Sequence, residues 1–155
     1  MKRALFLGRF QPFHNGHLWA VKQTLKEFDE VIIVIGSAQQ SNTEDNPLDA
    51  KARESMIRQS LKEAGISSFS IHPVDDINSD DEYVSHVESF VPKFDAVFTG
   101  NQLTEELFGK GYDIRKLKKY RNLSATKLRE MLEQGKDISE HVPPAVARAL
   151  SSRSR

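Results

Sequence analysis

Residues 4–17 read ALFLGRFQPFHNGH, an apolar run of four residues followed by a glycine, an arginine and two histidines. A short continuous apolar run is typical of a strand that is covered on both faces, as in a parallel sheet. Beyond it, apolar residues recur at spacings of three and four, which places one apolar stripe along a helix. These residues are Leu18, Val21, Leu25 and Phe28. The stretch therefore predicts a buried strand, a polar loop and a helix.

The same alternation continues along the chain. Further strands are predicted at 31–35, 69–74 and 96–99, and further helices at 50–64, 83–91 and 102–108, after Ser124 and from Pro143. Strands and helices in this order predict an α/β fold, a doubly wound parallel sheet in a single domain. We expect that domain to span residues 1–150 and residues 151–155 to form a frayed C-terminal tail.

Charge and composition limit the possible partners. The 22 Lys and Arg balance the 22 Asp and Glu, so no summed field attracts nucleic acid or an anionic membrane. Cysteine is absent, which excludes disulfides, thiolate metal sites and cysteine nucleophiles. No segment reaches membrane-spanning length, and the N-terminal apolar run is too short for a signal peptide. We expect a soluble cytoplasmic protein without nucleic-acid or membrane partners.

Ligands of doubly wound sheets lie beyond the carboxyl ends of the strands, which selects the loops at 8–16, 36–47, 74–82 and 100–101. In the first loop, Gly8 permits close backbone approach and Arg9 supplies a cation. His14 and His17 are three residues apart near a helix start, so both can face one phosphate group. An isolated histidine in such a loop is more often a surface or capping residue, but this combination favours a phosphate site.

A second phosphate-binding segment is predicted at residues 124–129, SATKLR. Ser124 and Thr126 at a helix start can offer hydroxyl and N–H donors to a polyphosphate, and Arg129 adds a fork-shaped cation one turn later. Taken alone, the segment is more typical of an ordinary N-cap with a solvated arginine, because serine caps are common. The first loop makes the phosphate-binding interpretation the better one.

The string at 8–17 contains the HxGH signature of a nucleotidyltransferase superfamily related in fold to class I aminoacyl-tRNA synthetases. Together with GSAQ at 36–39, Asn46-Pro47, Gly100-Asn101 and SATKLR, the chain resembles the archaeal-type nicotinamide-mononucleotide adenylyltransferases over nearly its whole length. The resemblance implies a Rossmann-like nucleotidyltransferase fold. It also implies adenylyl transfer from ATP to nicotinamide mononucleotide, giving NAD⁺ and pyrophosphate.

The resemblance also implies site residues and a cofactor. Catalysis is expected of His14, His17 and Arg129, with Arg9 and Arg129 holding the departing pyrophosphate. ATP is expected to contact Gly8, Arg9, Phe10, Gln11, His14, Gly16, His17, Ser124, Ala125, Thr126 and Arg129. The acceptor is expected to contact Ser37, Gln39, Asn46, Asp80, Tyr83, Gly100 and Asn101. Mg²⁺ is expected with the ATP phosphates and without protein ligands, and the chain is expected to form a homo-oligomer.

The chain departs from the family pattern at four positions. Asp80 and Tyr83 stand where the family has an asparagine and a tryptophan that recognise nicotinamide, Ala125 replaces a glycine, and Asn42 stands where histidine is common. A tyrosine ring can still stack on a pyridinium cation. The Asp80 carboxylate accepts from a carboxamide NH₂ but repels a carboxylate, so we expect the amide acceptor to be preferred over nicotinate mononucleotide.

Other interpretations stay open. The chain could transfer an adenylyl or cytidylyl group to another phosphate acceptor, such as phosphopantetheine, a flavin nucleotide or a choline-type phosphate. It could also be a nucleotide sensor without turnover. The acidic stretch Asp75–Glu82 lacks calcium-loop spacing and predicts a solvated loop. His72, His86 and His141 lack metal-ligand spacing and are interpreted as structural.

Overall fold

A five-stranded sheet organises the chain in the computed structural model, which describes residues 1–41, 43, 46–117 and 120–153. The strands are β1 (Arg3–Gly8), β2 (Glu30–Ile35), β3 (Phe69–Pro73), β4 (Ala96–Thr99) and β5 (Asp113–Lys116). The helices are α1 (Asn15–Thr24), α2 (Ala50–Glu63), α3 (Asp80–Glu88), α4 (Gln102–Phe108), α5 (Ala125–Glu133) and α6 (Pro144–Arg153). The strand order is β3-β2-β1-β4-β5, and all four pairings are parallel.

Side chains alternate between the two faces of the sheet, as the pleat of a strand requires. Leu5 and Val34 pack with Val87 of α3 and Phe108 of α4 on one face. On the other face, buried residues of β1 and β2 pack with those of α1, α2, α5 and α6, among them Phe6, Ile33, Val21, Ile57, Leu128 and Val146. Helices therefore cover both faces, and the predicted doubly wound parallel sheet is confirmed.

The sheet contains one strand that the pattern of apolar residues did not predict. Strand β5 has the sequence DIRK and forms an edge, pairing only with β4 in the register Val97↔Ile114. Its side chains are exposed or half-buried, so it needs no apolar run. Charged residues on an edge strand also discourage pairing with a second chain.

Helices α1 and α3 have other boundaries than predicted, and α3 spans Asp80–Glu88 where 83–91 was expected. Helix α1 ends at Thr24, whose hydroxyl donates to the Ala20 carbonyl, and Phe28 instead packs beside Ala4 and Ala96. Helix α3 begins at Asp80, where three acidic residues in its first turn interact favourably with the helix dipole. The prediction of a solvated loop over Asp75–Glu82 is therefore wrong for residues 80–82.

The C-terminal end of the described chain is helical. Helix α6 includes Ser151–Arg153, three residues of the segment predicted to be a frayed tail. Its body packs on the sheet face that α2 also covers. No helix in the described ranges has both the length and the apolar content to cross a bilayer.

Candidate active site

A cavity of about 430 Å³ opens at the carboxyl ends of β1, β2 and β4. The chain leaves β1 toward β2 on one side and reaches β4 on the other, so this is the point at which the strand order reverses. Eight predicted site residues line it: Gly8, Arg9, His17, Ser37, Asp80, Tyr83, Gly100 and Asn101. The volume is in the range of small-molecule sites.

The two histidines cap the start of α1 reciprocally. His14 is the N-cap residue, and its Nδ1 accepts hydrogen bonds from the N–H groups of Gly16 at 3.0 Å and His17 at 3.3 Å. The His17 Nδ1 accepts from the N–H of His14 at 3.0 Å. The rings stack with centroids 3.6 Å apart. The spacing of three residues thus forms a capping box built from imidazoles.

This cap determines where each histidine carries its proton. Because both Nδ1 atoms accept from backbone N–H groups, the proton of each neutral ring must sit on Nε2. Desolvation by burial lowers the pKa of His14 to about 4. Burial, and secondarily the charge of His14, lowers the pKa of His17 well below its usual value. At neutral pH both rings are therefore uncharged and each presents an Nε2–H donor.

Aromatic packing holds His17 in place. Its ring lies 4.9 Å from the Phe10 ring and stacks on the Phe13 ring at 5.5 Å. Phe10 is buried, with 2% of its surface exposed, and its side chain supports the His17 ring. Phe10 also adopts a left-handed conformation, with φ of 54°, which turns the chain sharply after Gly8.

Two glycines make room for these rings. A Cβ on Gly16 would lie 2.8 Å from the Cε1 atom of His14 and 3.0 Å from its Nδ1. A Cβ on Gly8 would lie 3.1 Å from the Phe10 ring. The glycine of the HxGH signature is therefore needed inside the protein to seat the first histidine, quite apart from any ligand.

The start of α5 approaches the first loop without lining the cavity. Ser124 is the N-cap, and its Oγ accepts from the N–H of Lys127. Arg129 donates to the Gln11 carbonyl at 3.0 Å and to Thr126 Oγ1 at 3.3 Å. Arg129 therefore ties the two predicted phosphate-binding segments together.

The side chains of Gln11 and Asn46, which are predicted to contact ligands, form hydrogen bonds within the protein. Gln11 is buried, and its amide group both donates to and accepts from the backbone of Leu48. Asn46 is also buried and donates to Gln40 Oε1 at 2.7 Å. Neither side chain lines the cavity, because each fastens the loop between β2 and α2. Asn42 lies outside the described residues.

Asp76 is a cavity residue that sequence reasoning missed. Its Oδ2 accepts hydrogen bonds from Ser37 Oγ at 2.8 Å and from Gln40 Nε2 at 3.2 Å. Its N–H donates to Gln39 Oε1, so Gln39, predicted to bind the acceptor, connects to the cavity through Asp76. The signal was available, since Asp76 lies three residues beyond the end of β3, in one of the four selected loops.

The far end of the cavity is acidic and aromatic. Asp76 and Asp80 line it together with Tyr83, whose ring meets Phe108 edge-on at 6.2 Å. Burial, and then the charge of Asp76, raises the pKa of the Tyr83 hydroxyl. On the opposite side, Asn101 caps α4 by accepting from the Thr104 N–H at 3.0 Å. This end of the cavity suits a flat cationic ring.

Arg53 is the second residue that sequence reasoning missed. It is fully buried in α2 and donates to backbone carbonyls of the two loops that follow β1 and β2, including those of Arg9 and Gly36. The sequence did indicate that Arg53 is buried. Arg53 is four residues before Ile57 and eight before Leu61, which places it on the buried stripe of its helix.

No group of three or more histidine, aspartate or glutamate side chains with metal-binding geometry occurs among the described residues. The Asp76 and Asp80 carboxylates line the same cavity as Arg9 and His17.

Comparisons with known proteins identify the family of the chain. The cytidylyltransferase-like family matches residues 5–131. The nicotinamide-nucleotide adenylyltransferase of Picrophilus torridus is 44% identical, with 96% of this chain and 89% of that protein covered. That of Thermococcus onnurineus is also 44% identical, covering 94% of this chain and 80% of the relative.

Among solved structures, a bifunctional NMN adenylyltransferase/ADP-ribose pyrophosphatase from Francisella tularensis, complexed with AMP and a manganese ion, superposes with a TM-score of 0.77. It is 28% identical, and the match covers 91% of this chain and 44% of that one. The family resemblance inferred from the HxGH, GSAQ and SATKLR segments is confirmed. The chain belongs to the cytidylyltransferase-like family and, within it, to the nicotinamide-nucleotide adenylyltransferases.

Proposed function

We propose that this chain transfers the adenylyl group of ATP to nicotinamide mononucleotide, forming NAD⁺ and pyrophosphate. The observation that carries the proposal is the pair of stacked, neutral histidines at the start of α1, one of which lines a cavity with an acidic and aromatic far end. Phosphate groups fit the first part of this arrangement and a pyridinium ring fits the second.

In the proposed reaction an oxygen of the acceptor phosphate attacks the α-phosphorus of ATP. A new O–P bond forms as the bond between the α-phosphorus and the bridging oxygen breaks, and that oxygen leaves with pyrophosphate. No proton needs to move, because attacking and leaving groups are both phosphates. Catalysis therefore requires positioning and stabilisation of charge rather than an acid or a base.

The histidines suit that requirement. Each neutral ring offers an Nε2–H that can donate to a phosphate oxygen as negative charge develops there, and the N-terminus of α1 adds its dipole. Arg9, which is exposed in the cavity, supplies a cation for the phosphates. We assign Arg129 to the departing pyrophosphate, since it joins the start of α5 to the loop that contains His14.

We assign Mg²⁺ to the ATP phosphates. The ion would bridge and partly neutralise them, which favours attack at the α-phosphorus. Arg9 and the two imidazoles bind phosphate oxygens directly and therefore do not compete for the metal.

The acidic end of the cavity supports an amide acceptor. Asp76 and Asp80 line the cavity beside Tyr83, so the cationic pyridinium is attracted while the carboxylate of nicotinate mononucleotide is repelled. We propose that the Asp80 carboxylate accepts from the carboxamide NH₂ and that the Tyr83 ring contacts the pyridinium. An acceptor without a positive ring, such as phosphopantetheine, gains no electrostatic attraction from Asp76 and Asp80.

A panel of acceptors tests the proposal. Purified protein, ATP and Mg²⁺ are incubated with nicotinamide mononucleotide, nicotinate mononucleotide, phosphopantetheine, flavin mononucleotide or phosphocholine, and pyrophosphate release is measured. We expect release with nicotinamide mononucleotide and a clear preference for it over the nicotinate form. Equal rates with both pyridine nucleotides would refute the role of Asp80, and release with none would favour a sensor without turnover.

A further inference from the structure

Arg53 has the largest side chain among the fully buried described residues, with 0% of its surface exposed. It forms no ion pair with a carboxylate in the described ranges. Burying a charge is costly unless its hydrogen-bonding groups are satisfied. An apolar side chain of similar size would fill the same space without that cost, so the guanidinium itself must serve a purpose.

The guanidinium satisfies its donors entirely with backbone carbonyls. Nη1 donates to Arg9 at 2.9 Å and Gly36 at 2.9 Å, Nη2 donates to Ser37 at 3.0 Å and Gln40 at 3.4 Å, and Nε donates to Asp49 at 3.2 Å. The first of these carbonyls belongs to the β1–α1 loop and the next three to the β2–α2 loop. One side chain therefore joins the two loops that border the cavity.

The two carbonyls held by Nη1 share a second feature. Each directly precedes a non-glycine residue in the left-handed region, namely Phe10 with φ of 54° and Ser37 with φ of 52°. Such conformations are costly for residues with side chains and persist only where the surroundings enforce them. Through Nη1, Arg53 joins these two turns to each other.

This arrangement also orients two amide groups. In a trans peptide the N–H points opposite to the carbonyl that precedes it, so the N–H groups of Phe10 and Ser37 face away from the guanidinium. Within the described ranges neither of them donates to another residue. Amides exposed at turns of this kind form concave anion sites. Arg53 therefore holds two amide donors, one in each loop, on the side away from its own charge.

We propose that Arg53 is a positioning residue for adenylyl transfer, which fixes the ATP-side loop against the acceptor-side loop so that the two phosphates meet in line. The inference rests on the proposed function. Each loop keeps its own ligand contacts when Arg53 is replaced, but the distance and angle between the loops are released. The turnover number should therefore fall much more than the affinity for either substrate.

Arg53→Lys and Arg58→Lys form the matched test. Lysine keeps the charge but has no planar fork, so it cannot hold carbonyls of both loops at once. Arg58 lies on the same helix, is exposed and pairs with Glu54, which makes it a control for helix α2. We expect Arg53→Lys to lower kcat about 100-fold or more, since misplacement by about 1 Å has effects of that size.

Binding and turnover distinguish positioning from a general loss of structure. Calorimetry of each substrate alone should give Kd values within about threefold of the wild type in both variants, and Arg58→Lys should keep wild-type kcat. A kcat in Arg53→Lys equal to that of Arg58→Lys overturns the inference. So does a loss that is confined to the Kd of one substrate.

Chemical rescue covers the case in which Arg53→Lys does not fold. Arg53→Ala prepared with ethylguanidinium should recover kcat at least about tenfold, whereas ethylammonium at the same concentration should not, because only the guanidinium has the fork. Equal recovery with both compounds, or with neither, overturns the inference.

A separate readout distinguishes failure of this inference from failure of the proposed function. If the wild-type chain forms no NAD⁺, the proposed function fails. The ¹⁵N–¹H NMR signals of the Phe10 and Ser37 amides still report the loops: they should shift in Arg53→Lys and stay in place in Arg58→Lys. Signals that stay in place in both variants overturn the role of Arg53 whatever the reaction is.

Discussion

The stability of the fold should fall steeply in mild acid because α1 is capped by unprotonated imidazoles. The folded-state pKa of His14 is lowered from 6.5 to about 4, so between these values the unfolded chain binds more protons than the folded protein. Stability contributed by His14 is therefore complete above about pH 6.5 and is lost as the pH falls toward 4. Between about pH 7.5 and pH 5 the loss from this group amounts to about 2 kcal/mol.

His17 should also reduce the stability of the fold as the pH falls, since burial lowers its pKa as well. His14→Asn isolates the first contribution. Asparagine is a good N-cap residue and can still accept from the N–H groups of Gly16 and His17, but it does not titrate. Urea unfolding of both proteins at several pH values measures the difference. We expect the variant to lose about 2 kcal/mol less than the wild type over the same range, and equal losses would refute the assigned cap chemistry.

Three further predictions concern the cavity. Gly16→Ala should destabilise the protein by about 1–3 kcal/mol, because the new Cβ would lie 2.8 Å from the His14 ring. Alanine ordinarily stabilises a helix relative to glycine, so an unchanged Tm in thermal unfolding would contradict this prediction. Asp80→Asn should raise kcat/KM for nicotinate mononucleotide about tenfold by removing like-charge repulsion, and an unaltered ratio of the two acceptors contradicts it. The pH profile of kcat/KM should show no inflection from the two histidines near pH 6.5, since both are already neutral, whereas a fall above that pH would indicate a required imidazolium.

Much of the fold could be predicted from the sequence because the buried strands are continuous apolar runs. Val31–Ile35 is buried throughout and lies within β2, where its pattern predicted a strand. Strand β5 was not predicted because its four residues, at the edge of the sheet, are exposed or half-buried and form no apolar run. The start of α3 at Asp80 was not predicted because its first turn is acidic, and acidic runs are more often solvated loops.

The candidate site was readable in position but not in detail. The spacing of His14 and His17 predicted that both face one site, while the reciprocal cap depends on backbone angles that no spacing reveals. The side chains of Phe10 and Gln11 are buried, and the sequence of the motif does not reveal that burial. Arg53 was overlooked because an arginine in a helix is ordinarily solvated, although its place on the apolar stripe indicated burial.

The His17 imidazole should stabilise the transition state for transfer of the adenylyl group to nicotinamide mononucleotide. The most direct test of this role is to measure NAD⁺ and pyrophosphate together, at saturating ATP and nicotinamide mononucleotide, for the wild type and for His17→Ala. We predict equal amounts of the two products from the wild type, and a kcat about 100-fold to 1,000-fold lower in His17→Ala with the Kd for ATP changed little. Pyrophosphate without NAD⁺, or a His17→Ala variant that differs only in KM, would contradict it.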